Sequence, residues 1–566
     1  MMRSERLLAL AILLPVIFFK YSILDYGLPY QFYPDETYLM KDSFKMLLNF
    51  SHGDFSQPTN LFFWAMGAWY ALVFCFGLLT GSWHSLAEFQ DLLIAEDSSM
   101  YFSGRLLSLI FCVIGTYYLI RLVMRMTGDR PLRILLALAF ALSPIELISG
   151  LWIKFDAMCY CFTAIFIFNA WKYFAGGETK LRNRLILLGF IGVSLRIDMI
   201  AFLAAFFWFD FFPKWRANGF MPYVRETWWP AAKGVILYCC ITLLPAVLIY
   251  KWSGAGAGGN AIAVVETYEE VIFTKVWENA KNGELFGLMG YNLFYYFVLM
   301  SAFILGPVLV AGAGYAMFRD KEMRFFRFAF ILFMLPLLIF RSYYPHYFLP
   351  ASTLLLLLAA SSLRKIQKPS WRYAAAALHV VYMAGITFQI VYAINFSEDT
   401  RISSRRFLLK HTTAADTLAV ENFHATAVSP PLEECVGVLK EKARITREHN
   451  LGTGITFDKK AERSDPALCR TILEVSHPQR YVGTPYEGKW ATDFSPAQIE
   501  RVAPPWYVSA TNYFDPLREA DSMTVYMRKY YKQEQSFIRH FADTRVSALI
   551  IHEDFFLPIY VYRRAD

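Results

Sequence analysis

The hexapeptide Tyr33-Pro34-Asp35-Glu36-Thr37-Tyr38 sets two adjacent carboxylates directly behind a proline. A carboxylate within hydrogen-bond reach of an attacking hydroxyl or amine can act as a general base, so the pair is a candidate for proton abstraction. Pro34 suits the first turn of a helix, and Leu39, Phe44, Met46 and Leu47 follow with amphipathic spacing. The helix dipole favours carboxylates at such a position by itself. A helix-start acid with no further duty is therefore the competing reading.

A third carboxylate, Asp156, lies in Lys154-Phe155-Asp156-Ala157-Met158, where an apolar run begins. Lys154 beside it is either part of the same chemistry or an interfacial anchor that snorkels. Three arginines stand at the ends of, or inside, apolar segments: Arg105, Arg196 and Arg341. Arg341 belongs to an aromatic stretch, Arg341-Ser342-Tyr343-Tyr344-Pro345-His346-Tyr347, that also carries His346. A guanidinium matches a phosphate in a bidentate fashion. A site with carboxylates on one side and cations on the other is one synthesis of these residues. Structural ion pairing, Asp198 with Arg196 for example, competes with that reading.

The elements that must position these groups are those of a membrane protein. A soluble chain carries about 25% charged residues; this one carries 18% in 566 residues, with 56% hydrophobic and 17% aromatic. Mean hydropathy is +0.33. Windows of about 19 residues mark spans near 6–24, 102–122, 133–153, 157–174, 233–251, 290–317, 326–341, 346–363 and 373–395. The stretch 185–212 holds two short spans broken at Arg196-Ile197-Asp198. Leu7 to Phe19 lacks a small-x-small cleavage site and reads as a retained first span.

Basic clusters set the sidedness. Arg3/Arg6, Arg121/Arg125/Arg130/Arg133, Lys180/Arg182/Arg184, Lys214/Arg216/Arg225/Lys233, Arg319/Lys321/Arg324/Arg327 and Arg364/Lys365/Lys368/Arg372 all fall inside if 61–82 does not cross. The loop 83–100 carries Glu88, Asp91, Glu96 and Asp97 without Lys or Arg, as an external loop should. The expectation is an all-α polytopic membrane domain, residues 1–395, with about eleven spans and an interfacial or re-entrant helical segment at 61–82. The N-terminus lies inside and the C-terminus outside. Asp35, Glu36, Arg105, Asp156, Arg196 and Arg341 then share the external side, and that shared side makes them a candidate site.

Residues 396–566 have ordinary soluble composition, and a small external α/β or α+β domain is expected there. Short apolar runs at Thr417–Val420 and Val546–Ile551 alternate with Pro/Gly/Asp punctuation, and 432–447 and 523–541 read as helices. Cys435 and Cys469 are the two cysteines of this tail and leave a disulfide open. Sequons stand at Asn49 and Asn395. The net charge of +8 follows membrane topology and calls for no nucleic-acid partner. No Gly-rich phosphate loop and no zinc-type Cys/His spacing occurs.

The order of these features resembles a known family. A first span leads to the Asp35-Glu36 loop, then Gly53-Asp54-Phe55-Ser56-Gln57-Pro58, then an interfacial apolar segment. A span opening Ser103-Gly104-Arg105-Leu106-Leu107-Ser108 follows, then Leu142-Ser143-Pro144 with Asp156 opening the next span, then the Arg341–Pro350 hairpin. This arrangement, over roughly residues 1–395, resembles the GT-C superfamily of polyprenyl-phosphate-sugar-dependent glycosyltransferases. Its protein O-mannosyltransferase and lipid A aminoarabinose transferase branch is the most similar. The resemblance implies a polyprenyl-phosphate-linked sugar donor, a lipid, glycan or protein acceptor, and inversion at the anomeric carbon. It implies Asp35 as base, Glu36 positioning the acceptor or a metal, and Asp156 lining the donor-sugar pocket. Arg105, Arg196 and Arg341 become phosphate ligands, with Lys154 and His346 behind them. Some relatives carry a divalent metal, but no ligand set for one is legible here.

The chain departs from the best-known members in lacking an inserted repeat domain, and its tail matches no acceptor-binding domain of that family. A bacterial inner membrane fits better than the endoplasmic reticulum. Two readings of other classes stand beside this one. A transporter or flippase would show corresponding broken segments in two halves, and Arg196-Ile197-Asp198 has no counterpart. A membrane-anchored binding or assembly protein would work through its tail.

Overall fold

The computed structural model describes residues 3–28, 60–95, 97–243, 306–339, 348–396, 399–413, 416–421, 436–448, 453–463, 471–475, 503–509, 522–537 and 559–565, with a few single positions, Glu36 among them. The chain forms two compact units: Met1–Leu24, Tyr38–Ala71 and Phe102–Val391 in one, and Asp25–Thr37, Leu72–Tyr101 and Tyr392–Asp566 in the other.

The described part of the first unit is helical. Helix α1 (Arg3–Tyr21) is apolar from Leu7 to Phe19. Ala9, Ile12, Leu13 and Val16 pack on Ile120, Met124, Ala137 and Ala141, while Leu7, Leu10, Leu14 and Phe18 are exposed at helical spacing. An exposed stripe of that kind faces lipid rather than water. Helix α2 (Asn60–Thr80) is continuous, and α3 (Leu86–Ile94) follows it. The 29-residue α4 (Ser98–Met126) comes next.

Residues 133–153, expected as one span, are instead two helices, α5 (Arg130–Ala141) and α6 (Pro144–Ser149). Pro144 has no N–H for the preceding turn, so the helix must stop and restart there. Helix α7 (Phe155–Gly176) ends on Gly177 at φ 69°, the left-handed turn that glycine adopts without strain. Helices α8 (Thr179–Leu195) and α9 (Ile200–Asn218) are separated by a single 3-10 turn, Ile197–Met199, where the sequence placed its break. Then come α10 (Phe220–Tyr238), α11 (Pro307–Arg319), α12 (Arg324–Ile339), α13 (Leu349–Lys365) and α14 (Pro369–Phe396). Every residue of α13 from Leu349 to Leu363 is buried, which marks it as the bundle's central helix.

By length and composition three stretches of the described residues can cross a membrane: Leu61–Thr80, Ser98–Met126 and Pro369–His411. Residues 244–251 of the expected span 233–251, and most of 290–305 in the expected span 290–317, lie outside the described residues.

The described part of the tail forms a five-stranded mixed sheet with helices on both faces, where a small α/β or α+β fold was expected. Strand order is β2-β1-β3-β5-β4, with β1 (Thr417–Glu421), β2 (Thr471–Val475), β3 (Trp506–Ser509), β4 (Tyr531–Phe537) and β5 (Ile559–Arg564). Strands β2, β1 and β3 are parallel, while β5 and β4 run antiparallel. Residues alternate between faces with the pleat. Leu418, Trp506, Val508, Ile559 and Val561 pack with Leu408 of α15 (Thr400–His411). Ala419, Tyr507, Tyr560 and Tyr562 pack with Tyr526 and Met527 of α18 (Ser522–Tyr530).

The expected helix 523–541 is corrected: it ends at Tyr530, and 531–537 is the edge strand β4, bulged between Gln533 and Gln535. Its Lys, Glu and Gln residues favour helix, but pairing with β5 overrides that preference, and charged side chains suit an exposed sheet edge.

Two further helices, α16 (Val436–Glu448) and α17 (Ile455–Arg463), pack against Ala95 through Leu439, Ala443, Phe457 and Ala461. Asp91 of α3 caps α17 from far away in sequence. Its carboxylate accepts from the Thr453 hydroxyl and from the amides of Gly454 and Ile455, both at 3.0 Å. Lys460 donates to the Ala95 carbonyl at 2.6 Å. Tyr26 donates to Asp399 at 2.6 Å, and Arg401 grips the same carboxylate through Nε and Nη2. The loops beginning at 25 and 83 and the tail are thus parts of one packed body.

Candidate active site

Asp156 and Arg196 come together because two helices end near one another. Lys154 takes the N-cap of α7 with extended backbone, and Asp156 lies in the first turn, where the dipole stabilises a carboxylate. Helix α8 stops at Leu195, and Arg196 is itself extended at φ −157°. The Arg196 guanidinium donates from Nη1 to Asp156 Oδ1 at 2.7 Å. It donates from Nε and Nη2 to the two oxygens of Asp198 at 2.8 and 2.5 Å. The Phe333 ring covers it at 5.9 Å.

Asp156 is 1% exposed. Its second oxygen, Oδ2, has no hydrogen-bond partner among the described residues. A buried carboxylate oxygen without a partner is costly, which makes Asp156 a candidate for a role beyond packing.

Arg105 is fully buried. Its Nη1 donates to the carbonyl of Leu24 at 2.8 Å, and its guanidinium lies 4.7 Å from the Trp152 ring. It therefore holds the chain just beyond α1, where a cation also complements the helix C-terminus. Lys154 is 2% exposed, so it is enclosed by protein rather than snorkelling at a surface. Glu36 is fully buried in the second unit. Asp35, Arg341 and His346 lie outside the described residues, as do Cys435, Cys469 and Asn49. Asn395 is exposed in the last turn of α14. Among the described residues no group of three or more His, Cys, Asp or Glu side chains is arranged to hold a metal ion.

The sequence reading missed a second buried ionic centre in the first unit. Lys20 Nζ and the Thr116 hydroxyl both donate to Glu146 Oε1, each at 2.5 Å. The signal was present: Glu146 is the one carboxylate between 133 and 153, and Lys20 the one cation between Leu7 and Leu24.

Long apolar helices enclosing paired charges define a multi-pass membrane protein with a small mixed α/β unit. No family model matches the sequence, and no curated protein matches it. Among solved structures the chain is similar to ArnT from Cupriavidus metallidurans in the apo state. The two are 11% identical with a TM-score of 0.47, over 99% of this chain and 97% of that one. At that level no residue role is carried across.

Proposed function

We propose that this protein is an integral-membrane glycosyltransferase that moves a sugar from a polyprenyl-phosphate donor to a lipid, glycan or protein acceptor at the external membrane face. The observation that carries the reading is the Asp156–Arg196–Asp198 cluster, buried at the ends of two apolar helices with one Asp156 oxygen open. Ionisable groups inside a membrane bundle are costly and usually functional.

In this reading Asp35 takes the proton of the acceptor as it attacks the anomeric carbon. The carbon–oxygen bond to the phosphate breaks, and the configuration inverts. Asp156 Oδ2 accepts from the donor sugar. Arg196, held between two carboxylates, positions Asp156, which makes it a weaker phosphate ligand than its sequence position implied. Arg105 is likewise engaged at Leu24. Arg341 then leads the phosphate contacts, with Lys154 and His346 beside it, and Glu36 supports the acceptor side. Cations placed where the lipid phosphate departs stabilise charge as it develops.

The stretches 25–37 and 72–101 belong to one body with the tail, joined by the Tyr26–Asp399 and Asp91–Gly454 bonds, and in this reading the tail is external.

The decisive experiment is Asp35→Asn in protein reconstituted with undecaprenyl-phosphate-linked sugars. Transfer should fall about 10²–10⁴-fold, the contribution of a general base, with insertion and thermal midpoint unchanged. Full transfer by that variant would remove Asp35 from the role.

A further inference from the structure

One turn along α7 from Asp156, the Tyr160 hydroxyl lies 3.2 Å from Thr116 Oγ1. Thr116 donates to Glu146 Oε1, which also receives Lys20. Four helices, α1, α4, α6 and α7, thus meet at one polar node. Lys20 is 3% exposed, and Thr116 and Glu146 are fully buried. Glycines let the backbones come this close. A Cβ at position 115 would lie 2.6 Å from the Tyr160 ring and 3.2 Å from the Cys161 Cα; one at 150 would lie 2.6 Å from the Cys112 sulfur.

The node sits at one end of a short segment, 144–156, that two further charged side chains contact. Glu146 is tied to Lys20, Trp152 lies under the Arg105 guanidinium, and Asp156 is tied to Arg196. The first two ties also converge on the end of α1, since Arg105 binds the Leu24 carbonyl four residues beyond Lys20. Adhesion alone does not require the charges: well-packed apolar residues of the same volume hold helices as well as a buried ion pair does, or better. What the pair adds is a defined register between α1, α4 and α6.

We propose that Lys20 and Glu146 are positioning residues whose ion pair sets the register of segment 144–156 and so fixes where Asp156 presents its open oxygen. The inference rests on the glycosyl-transfer reading for its functional consequence, and on the geometry alone for its structural one.

The test uses full-length protein in lipid nanodiscs, comparing Glu146→Gln and the double variant Lys20→Met/Glu146→Met with wild type. Three quantities are read: the thermal midpoint, amide hydrogen exchange of residues 150–158, and kcat and KM with undecaprenyl-phosphate-linked sugars. The double variant leaves no unpaired charge and should keep the wild-type midpoint. Its amides at 150–158 should exchange faster, and its kcat should fall about 10- to 100-fold, the scale of a 1 Å misplacement, with KM within about threefold. A double variant with wild-type exchange at 150–158, or with wild-type kcat, overturns the assignment. Where the double variant does not insert, Glu146→Gln carries the same readouts, because it keeps the side-chain volume and an acceptor oxygen. If the wild-type protein transfers no sugar, the glycosyl-transfer reading fails, while exchange at 150–158 still decides whether the pair holds the segment.

Discussion

The two units use the same ionisable side chains under opposite conditions. In the first, Arg196 is surrounded by apolar helices, and its two carboxylates are its means of being buried at all. In the second, Arg444 sits between Glu441 and Glu448 on an outer face of α16, with all three side chains about half exposed. Hydrogen bonds from Arg444 hold the Glu441 carboxyl below its usual range, yet water competes for every one of them. Between these extremes stand Asp91 and the Asp399–Arg401 pair, buried within the second unit and satisfied by backbone amides or a bidentate fork. Enclosure by protein decides whether a charge organises structure; its presence in a helix does not.

That contrast is broken most directly at Arg196. Arg196→Met should strand two carboxylates and cost about 3–5 kcal/mol of stability, the range for removing one partner of a buried pair. Adding Asp156→Asn to it should recover part of the loss in a thermal melt. An unchanged midpoint for Arg196→Met would mean that burial gives this arginine no more weight than an exposed one. A smaller effect is expected from Asp91→Ala, which removes the cap of α17. It should cost about 1–3 kcal/mol and speed amide exchange at residues 453–463, leaving the first unit's helices unaffected. The smallest is Arg444→Ala, whose midpoint should coincide with wild type at any salt concentration. A clear drop there would show that exposed ion pairs stabilise the second unit after all.

Much of the architecture was legible because it follows from local rules. The first span, the break at Arg196-Ile197-Asp198 and the mixed strand-and-helix character of the tail follow from periodicity, composition and punctuation. Pro144 was equally visible, yet the hydropathy window averaged across it and merged α5 with α6. Strand β4 was misread because Tyr531–Phe537 has helix-favouring residues, and its state is set by a partner strand that follows 21 residues later. The candidate site was legible as a set of residue types. Which of them pair was legible only in part: the Asp198–Arg196 pair stood as the competing reading and is present, while the bond from Arg196 to Asp156 was not foreseen.

The amino-acid sequence alone determined that this chain is a multi-pass membrane protein and that its C-terminal part has the composition of a folded soluble region. Those properties depend on transfer free energies and charge counts that sum along the chain. Only the tertiary structure decided that Glu146 meets Lys20 across 126 positions, that Asp91 caps a helix 364 positions away, and that Asp156 keeps one oxygen open. Such contacts depend on which helices become neighbours, and no local rule carries that information. The carboxylates at 35 and 36 began as a pair on a loop. Asp156, buried and half satisfied, is the one whose surroundings the fold now explains.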